Sequence, residues 1–113
     1  MHELSLATEV VRIICDEAAR NDVRRVERYR LEVGQLRAVV PELLRTGLEV
    51  ASQGTCAAGA RIELDEIPGR ARCPGCGIEF ATPDILLVCP DCGQIGGEVL
   101  AGSELRIVEL EGE

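Results

Sequence analysis

The first half of the chain switches between the two apolar periods that mark helices and strands. Residues 3 to 19 repeat apolar side chains every three or four positions, which predicts an amphipathic helix with a buried row of Ala7, Val11, Ile14 and Ala18. From Val26 the period becomes two, which predicts a half-buried strand that ends at Gly34. Pro41 then stands at a favoured first position for a second helix. The predicted core side of that helix comprises Leu43, Leu44, Gly47, Leu48 and Ala51.

The second half of the chain carries shorter patterns around a cysteine-rich segment. Residues 60 to 65 alternate apolar and charged side chains, which predicts a second strand. Pro68 and Gly69 mark a boundary, and residues 85 to 88 are predicted to form a strand between two pairs of cysteines. Leu105, Ile107 and Leu110 belong to a last strand, whose phase slips at Val108 as at a β-bulge.

These elements predict an α/β (α+β) fold. We expect a two-layer domain in which two helices cover the apolar face of a three-stranded mixed sheet, plus an inserted zinc-ribbon-like module with four cysteines. The helix between the first two strands makes them parallel through a right-handed crossover. The predicted boundaries are residues 1–68 and 102–113 for the α/β domain and residues 69–101 for the module.

Composition and charge narrow the functional classes. The 113 residues have a formal net charge of −8, with one Phe, one Tyr and no Trp, so the chain is poorly suited to grip phosphate backbones or to stack bases. The N-terminus lacks the basic and long apolar segments of a secretory signal, and no apolar run approaches the length of a membrane span. We therefore expect a cytoplasmic protein in a reducing compartment, where cysteines bind metal more often than they form disulfides.

Four cysteines form two matched pairs, Cys73-Pro74-Gly75-Cys76-Gly77 and Cys89-Pro90-Asp91-Cys92-Gly93. Two such turns each present two thiolates, and the four sulfurs Cys73, Cys76, Cys89 and Cys92 are predicted to bind one Zn²⁺ in a tetrahedral site. The proline sets the backbone angle of each turn, and the glycine permits the angles that direct amide N–H groups at sulfur. A closed four-sulfur site is structural rather than catalytic. A pair of disulfides is the alternative.

The other two cysteines have no such spacing. Cys15 lies within the apolar pattern of the first helix and is interpreted as a small buried hydrophobic residue. Cys56 lies in a turn-rich loop without an apparent partner, so packing is its predicted role as well.

A second set of potential metal ligands lies at the N-terminus. The Met1 amine, the His2 backbone nitrogen and the His2 imidazole can close a five-membered and a six-membered chelate ring on one ion. The backbone nitrogen of Glu3, or its carboxylate, can supply a fourth donor. Nitrogen-rich square-planar sets suit Ni(II) or Cu(II), and binding requires a neutral imidazole and a deprotonated amine.

Several segments together resemble the HypA/HybF family of nickel metallochaperones. They are Met1-His2-Glu3-Leu4-Ser5-Leu6, Val33-Gly34-Gln35-Leu36, Val40-Pro41-Glu42, Ile67-Pro68-Gly69-Arg70-Ala71-Arg72-Cys73, the two cysteine pairs, and Gly102-Ser103-Glu104-Leu105-Arg106-Ile107. The resemblance covers essentially the whole chain. The combination of an N-terminal Met-His-Glu with an inserted four-cysteine module is more specific than either feature alone.

The resemblance implies a protein, not an enzyme, that delivers Ni(II) during maturation of [NiFe]-hydrogenase and, in some organisms, of urease. His2 matches the family's essential nickel ligand, Glu3 the supporting position beside it, and the four paired cysteines the structural zinc ligands. The implied partners are a GTPase accessory protein for nickel insertion and the hydrogenase large subunit, with no nucleic acid or membrane. The implied oligomeric state is a monomer or weak homodimer.

The chain departs from the family pattern at two places between the first strand and the second helix. The family usually has Glu where this chain has Gln35, and often Ser-Gly where it has Arg37-Ala38. These departures affect the expected partner surface and not the predicted metal ligands.

Two other functions compete with the metallochaperone interpretation. A zinc-ribbon adaptor could dock nucleic acid or an acidic protein through a local basic cluster of Arg20, Arg24, Arg25, Arg28 and Arg30. A rubredoxin-like electron carrier is also possible on the residues alone, because paired Cys-Pro-x-Cys-Gly turns can hold iron. Iron–thiolate protein is red, whereas zinc protein is colourless.

Overall fold

A computed structural model describes residues 2–83 and 85–113, and at His2 it describes the backbone alone. The elements are α1 (His2–Arg20), β1 (Val26–Gly34), a 3-10 turn (Gln35–Arg37), α2 (Pro41–Ser52), β2 (Arg61–Ile67), β3 (Arg70–Arg72), β4 (Glu79–Ala81), β5 (Glu98–Ala101) and β6 (Leu105–Gly112). Both helices, the first two predicted strands and the last strand thus form where the apolar period predicts them.

Strand β1 is the centre of a three-stranded sheet with the order β2-β1-β6. It runs antiparallel to β6, because the Arg25 carbonyl accepts a hydrogen bond from the N–H of Glu113 at one end, while the N–H of Gly34 donates to the Glu104 carbonyl at the other. The sheet is mixed, which makes β1 and β2 the parallel pair expected from a helical crossover. The predicted combination of two helices with a mixed three-stranded sheet is confirmed.

Helix α1 buries the row of apolar side chains that the sequence predicts. Its buried side chains are Ala7, Val10, Val11, Ile14 and Ala18. In α2, Leu44 and Leu48 are fully buried and Gly47 lies against α1, where a Cβ atom would be 3.1 Å from the Cβ of Ala7. The prediction that Leu43 faces the core is wrong: its side chain is 55% exposed, because it precedes Leu44 by about 100° around the helix.

A second three-stranded sheet, with the order β4-β3-β5, belongs to the cysteine-rich segment, and both of its pairings are antiparallel. The strand predicted at residues 85 to 88 does not form. Val88 makes only an isolated bridge with Ile95, while Ile85 and Leu86 are exposed. Strand β3 is already paired on both edges, and only Leu87 of this apolar run enters the small core.

The contacts divide the chain into two compact units. The first comprises residues 1–31, 39–65 and 106–113 and contains both helices. The second comprises residues 32–38 and 66–105 and contains the four paired cysteines. It also contains the 3-10 turn, which lies within the predicted boundaries of the α/β domain. In the described part of the chain, neither helix has an apolar stretch long enough to cross a bilayer.

Candidate metal centres

The first cysteine turn is closed by two backbone hydrogen bonds. The N–H of Cys73 donates to the Ile78 carbonyl at 2.9 Å, and the N–H of Gly77 donates to the Cys73 carbonyl at 2.9 Å. Gly77 has a φ of 78°, in the left-handed region that a side chain disfavours. The predicted need for glycine after the second cysteine is therefore confirmed for this turn.

The second turn repeats the same geometry sixteen residues later in the chain. The N–H of Cys89 donates to the Gln94 carbonyl at 3.0 Å, and the N–H of Gly93 donates to the Cys89 carbonyl at 2.9 Å. Gly93 has a φ of 75°. Because the two turns are built alike, each presents its pair of thiols in the same way.

The four sulfur atoms of these turns come together. The Sγ atoms of Cys73, Cys76, Cys89 and Cys92 all lie within 4.8 Å of one another, and the Cys73–Cys92 and Cys76–Cys89 pairs are each 3.6 Å apart. A tetrahedron of sulfurs around zinc, with Zn–S bonds of about 2.3 Å, has sulfur–sulfur edges of about 3.8 Å. The donor set and its size therefore fit a Zn²⁺ ion.

The electrostatics of the cluster also favour a cation. Backbone N–H groups of Cys76 and Gly75 point at the Cys73 sulfur and lower the pKa of Cys73 to about 6, against the opposing effect of burial. The Ile78 N–H lowers the pKa of Cys76, but partial desolvation and the neighbouring Cys89 and Cys73 sulfurs outweigh it and raise that pKa to about 12. Four thiolates this close repel one another, and a divalent metal at the centre removes that obstacle.

The cluster is anchored on one side by the core of its unit. Cys73 and Cys89, the first cysteine of each turn, are buried together with Ala71, Phe80 and Leu87, whereas Cys76 and Cys92 are exposed. All four positions around a tetrahedral ion would be filled by protein sulfur, so none remains for substrate. The arrangement suits a metal that holds β3, β4 and the two turns together.

The predicted nickel ligands lie at the N-terminal limit of the described residues. Met1 is outside the described residues, and His2 is described only by its backbone, as the first residue of α1. The Glu3 carboxylate accepts a hydrogen bond of 3.3 Å from the N–H of Val40, the residue that precedes α2. Glu3 is thus placed beside the start of α2, and the grouping of the three predicted ligands stays a prediction.

The remaining cysteines lie together, which the sequence analysis missed. The thiol of Cys56 donates a hydrogen bond to the Cys15 sulfur, with the two Sγ atoms 3.4 Å apart. Burial, followed by this contact, raises the pKa of Cys56. The interpretation of Cys56 as a residue without a partner is therefore wrong. The only sequence signal was that two cysteines were left over after the metal-type pairs had been assigned.

The basic cluster proposed for an adaptor is largely neutralised within the fold. Arg28 forms ion pairs with Glu63, Glu109 and Glu111 at 2.7, 2.7 and 2.9 Å, and Arg30 pairs with Glu63 at 3.4 Å. Arg20 pairs with Glu17 in the last turn of α1. The basic cluster therefore gives little support to a function as an adaptor for nucleic acid or an acidic protein.

Comparison with known proteins identifies relatives along the whole chain. The profile of the family described as hydrogenase/urease nickel incorporation, metallochaperone, hypA, matches residues 1–112. The hydrogenase maturation factor HypA of Geobacter sulfurreducens is 42% identical over 113 residues, which is the full length of both chains. That of Azotobacter vinelandii is also 42% identical over the full length of both chains.

Two solved structures share the fold. The solution structure of the Ni metallochaperone HypA from Helicobacter pylori matches with a TM-score of 0.71 at 20% identity, covering 97% of this chain and 96% of that one. A second solution structure, of a HypA protein, matches with a TM-score of 0.68 at 23% identity, covering 100% of this chain and 97% of that one.

Proposed function

This chain belongs to the HypA family of hydrogenase/urease nickel-incorporation metallochaperones, and we propose that it binds Ni(II) at its N-terminus and delivers it during maturation of [NiFe]-hydrogenase. The family is one of metallochaperones, so the chain is not an enzyme. The observation that carries the proposal is the full-length family match of a chain that opens with Met1-His2-Glu3. Delivery to urease is a second destination within the same proposal.

The proposed nickel ligands are the Met1 amine, the backbone nitrogen and imidazole of His2, and Glu3. The position of His2 as first residue of α1 supports this set, because the first N–H groups of a helix have no acceptor within that helix. That nitrogen can therefore exchange its proton for a metal without breaking the helix. A short chelate of nitrogen ligands would also allow the ion to leave by ligand exchange.

Glu3 has a second role in this proposal. Its carboxylate accepts a hydrogen bond from Val40, which joins the first turn of α1 to the start of α2. We therefore assign the fourth nickel donor to the Glu3 backbone nitrogen and the positioning of the helix start to its side chain. A Glu3→Gln variant keeps a hydrogen-bond acceptor and should bind nickel nearly as well as the native protein, whereas Glu3→Ala should bind it more weakly.

The four paired cysteines are proposed to hold a permanent zinc ion that folds their own unit. The matched turns and the sulfur spacing support this assignment. The two metals then have separate tasks, because the thiolates retain zinc while the nitrogen ligands exchange nickel.

The family works within the hydrogenase maturation machinery. For this chain we propose, from the family resemblance, a GTPase accessory protein as the partner in nickel insertion and the hydrogenase large subunit as the destination, both in the cytoplasm. The chain carries no P-loop pattern, so GTP hydrolysis belongs to the partner in this scheme.

A nickel titration tests the N-terminal site. Zinc-loaded native protein is compared with His2→Ala and with a version that has residues appended before Met1, using a chromogenic chelator as competitor. Both changes should reduce nickel affinity at least about 100-fold, since His2→Ala removes the imidazole and the extension converts the Met1 amine into a peptide nitrogen. Zinc content and the circular dichroism spectrum should stay unchanged.

The matched control is Ser5→Ala, which alters an exposed residue of the same helix without removing a donor. It should bind nickel like the native protein. Equal affinity in the native and extended proteins would remove the amine from the ligand set, and nickel bound wholly by thiolates would refute the N-terminal site.

A further inference from the structure

We propose that Cys15 and Cys56 are a redox-active pair that forms a reversible intramolecular disulfide and thereby links α1 to the loop between α2 and β2. The pair uses none of the predicted nickel or zinc ligands. This inference therefore stands or falls independently of the proposed nickel site.

The geometry brings two distant thiols into contact. Cys15 and Cys56 are 41 positions apart in the chain, yet their sulfur atoms are 3.4 Å apart. A disulfide requires an S–S distance of about 2.05 Å, so the sulfurs must approach by roughly 1.4 Å. Small rotations of the two side chains about their Cα–Cβ bonds can supply a movement of this size.

The backbone on both sides of the pair is held in place. On α1, the flanking residues Ile14 and Ala18 are fully buried in the core. On the loop, the carbonyl of Cys56 accepts a hydrogen bond of 2.8 Å from Val26, and the next residue, Ala57, is 1% exposed. The contact between the two sulfurs is therefore a product of the fold rather than of a loose loop.

Access is sufficient for a small oxidant. Both cysteines are only partly buried, in contrast to Cys73 and Cys89 of the metal-type pairs. A disulfide of a low-molecular-weight thiol, such as glutathione disulfide, can reach a cysteine that is only partly buried, whereas metal-bound thiolates of the other pairs are protected as long as zinc is present.

The reaction is a two-step thiol–disulfide exchange. The Cys56 thiol donates its hydrogen to the Cys15 sulfur, and burial raises the pKa of Cys56, so Cys15 is assigned the first attack. The Cys15 sulfur, on losing its proton, attacks one sulfur of RSSR, forms a mixed disulfide and releases RS⁻, which takes up a proton to become RSH. Cys56 then loses its proton, attacks the Cys15 sulfur and releases the second RSH. The protein loses two hydrogen atoms, and one RSSR becomes two RSH.

The test incubates the zinc-loaded full chain in a series of buffers with increasing ratios of oxidised to reduced glutathione. Samples are quenched with acid, alkylated, digested with trypsin and analysed by mass spectrometry. The sequence is favourable, because cleavage after Arg12, Arg20, Arg45 and Arg61 isolates Cys15 in peptide 13–20 and Cys56 in peptide 46–61. Neither peptide contains a cysteine of the metal-type pairs.

The expected result is a cross-linked species of these two peptides that appears with oxidation, disappears with dithiothreitol and forms without loss of zinc. Cys15→Ser and Cys56→Ser should each abolish the cross-link. The oxidised native protein should also unfold at a temperature roughly 5–15 °C higher than the reduced protein, because the link closes a long loop of the unfolded chain.

Three outcomes would overturn the proposal. The first is that both peptides are fully alkylated at every glutathione ratio. The second is that mixed disulfides accumulate in place of the cross-link. The third is that either peptide is cross-linked to a cysteine of the metal-type pairs. The peptide analysis is made on the native chain, so it decides the question even where a serine variant folds poorly.

Discussion

At the scale of single residues, some positions adopt conformations that their side chains disfavour. Ala38 has φ 55° and ψ 35°, the left-handed conformation in which glycine is the usual residue. It closes the 3-10 turn through a hydrogen bond of 3.3 Å from its N–H to the Gln35 carbonyl, and the neighbouring Arg37 is held by a bond of 2.9 Å to the Ser103 carbonyl. Ala38 belongs to the Arg37-Ala38 pair, where the family resemblance leads us to expect Ser-Gly.

The strain at Ala38 predicts an unusual effect of glycine. Ala38→Gly should leave the free energy of unfolding unchanged or raise it by up to about 1 kcal/mol, because the relief of the left-handed strain offsets the added freedom of the unfolded chain. Urea denaturation measures the change. Ala58→Gly is the matched control: Ala58 is an exposed loop alanine without a positive φ, and its replacement should lower stability. A clear loss at Ala38 would contradict the strain argument.

A second residue-scale prediction concerns Arg28, whose guanidinium lies among three carboxylates of the central sheet. It lowers the pKa of Glu109 and of Glu111. A carboxylate with a lowered pKa contributes stability above its unfolded pKa and loses that contribution as the pH falls through its folded pKa. Arg28→Gln should therefore lower the thermal midpoint at pH 7, with a deficit that shrinks as the pH falls below about 4.5.

The control for Arg28 is Arg61→Gln, which removes an exposed arginine at the start of β2. It should change the midpoint much less at pH 7. Thermal unfolding followed from pH 7 to pH 3 makes the comparison, and a deficit of constant size over this range would show that the carboxylates are not the cause.

At the scale of elements, the second compact unit, which contains the four paired cysteines, has too small a hydrophobic core to fold without a bound metal. Its strands β3 and β4 have three residues each, and its buried cluster consists of Ala71, Phe80, Leu87 and two of the cysteines themselves. A core this small does not outweigh the entropy of ordering the segment, so we expect the proposed zinc ion to supply the difference.

Removal of the metal should therefore unfold this unit selectively. Cys73→Ala, or treatment of the native protein with a strong zinc chelator, should abolish the dispersed amide signals of residues 70–101 in an NMR spectrum. The signals of α1 and α2 should persist, because these helices bury Ala7, Ile14, Leu44 and Leu48 independently of the cysteines. Retention of β3 to β5 without metal would contradict the structural role of zinc. A red protein instead of a colourless one would indicate iron.

At the scale of the whole molecule, charge decides which partners are suited. The formal net charge is −8, and four thiolates with one Zn²⁺ would change it to −8 − 4 + 2 = −10. The local basic residues do not compensate, because Arg20, Arg28 and Arg30 are paired with carboxylates of the same fold. The surface therefore offers phosphate groups little attraction.

We therefore predict that the protein does not slow the migration of an oligonucleotide in a gel at about 150 mM salt. At this salt concentration, non-specific binding requires several unpaired basic residues. Glu109→Gln combined with Glu111→Gln frees part of the Arg28 charge and is the informative comparison. Slower migration of the oligonucleotide with the native protein at this salt concentration would support the adaptor function.

Local patterns predicted much of this architecture. The apolar period predicted α1, α2 and the strands of the mixed sheet, because each helix and strand buries one face. The cysteine turns were predictable because two residues between thiols suffice to present both sulfurs to one ion, and the glycine that follows supplies the positive φ. The error at Leu43 arose because this residue lies about 100° around the helix from the buried Leu44, and the error at residues 85 to 88 arose because β3 is already paired on both edges.

What the amino-acid pattern alone predicted was thus the order of the two helices and the strands of the mixed sheet, the four-cysteine cluster and the family resemblance, all of which depend on neighbours close in the chain. The strands β3, β4 and β5 of the cysteine-rich segment were not predicted. Only the tertiary structure paired Cys15 with Cys56 and surrounded Arg28 with Glu109 and Glu111, contacts that span 41, 81 and 83 positions. Such contacts follow from how helices and strands pack against one another. No local period encodes them, because the same residues at the same spacing would remain apart in another fold.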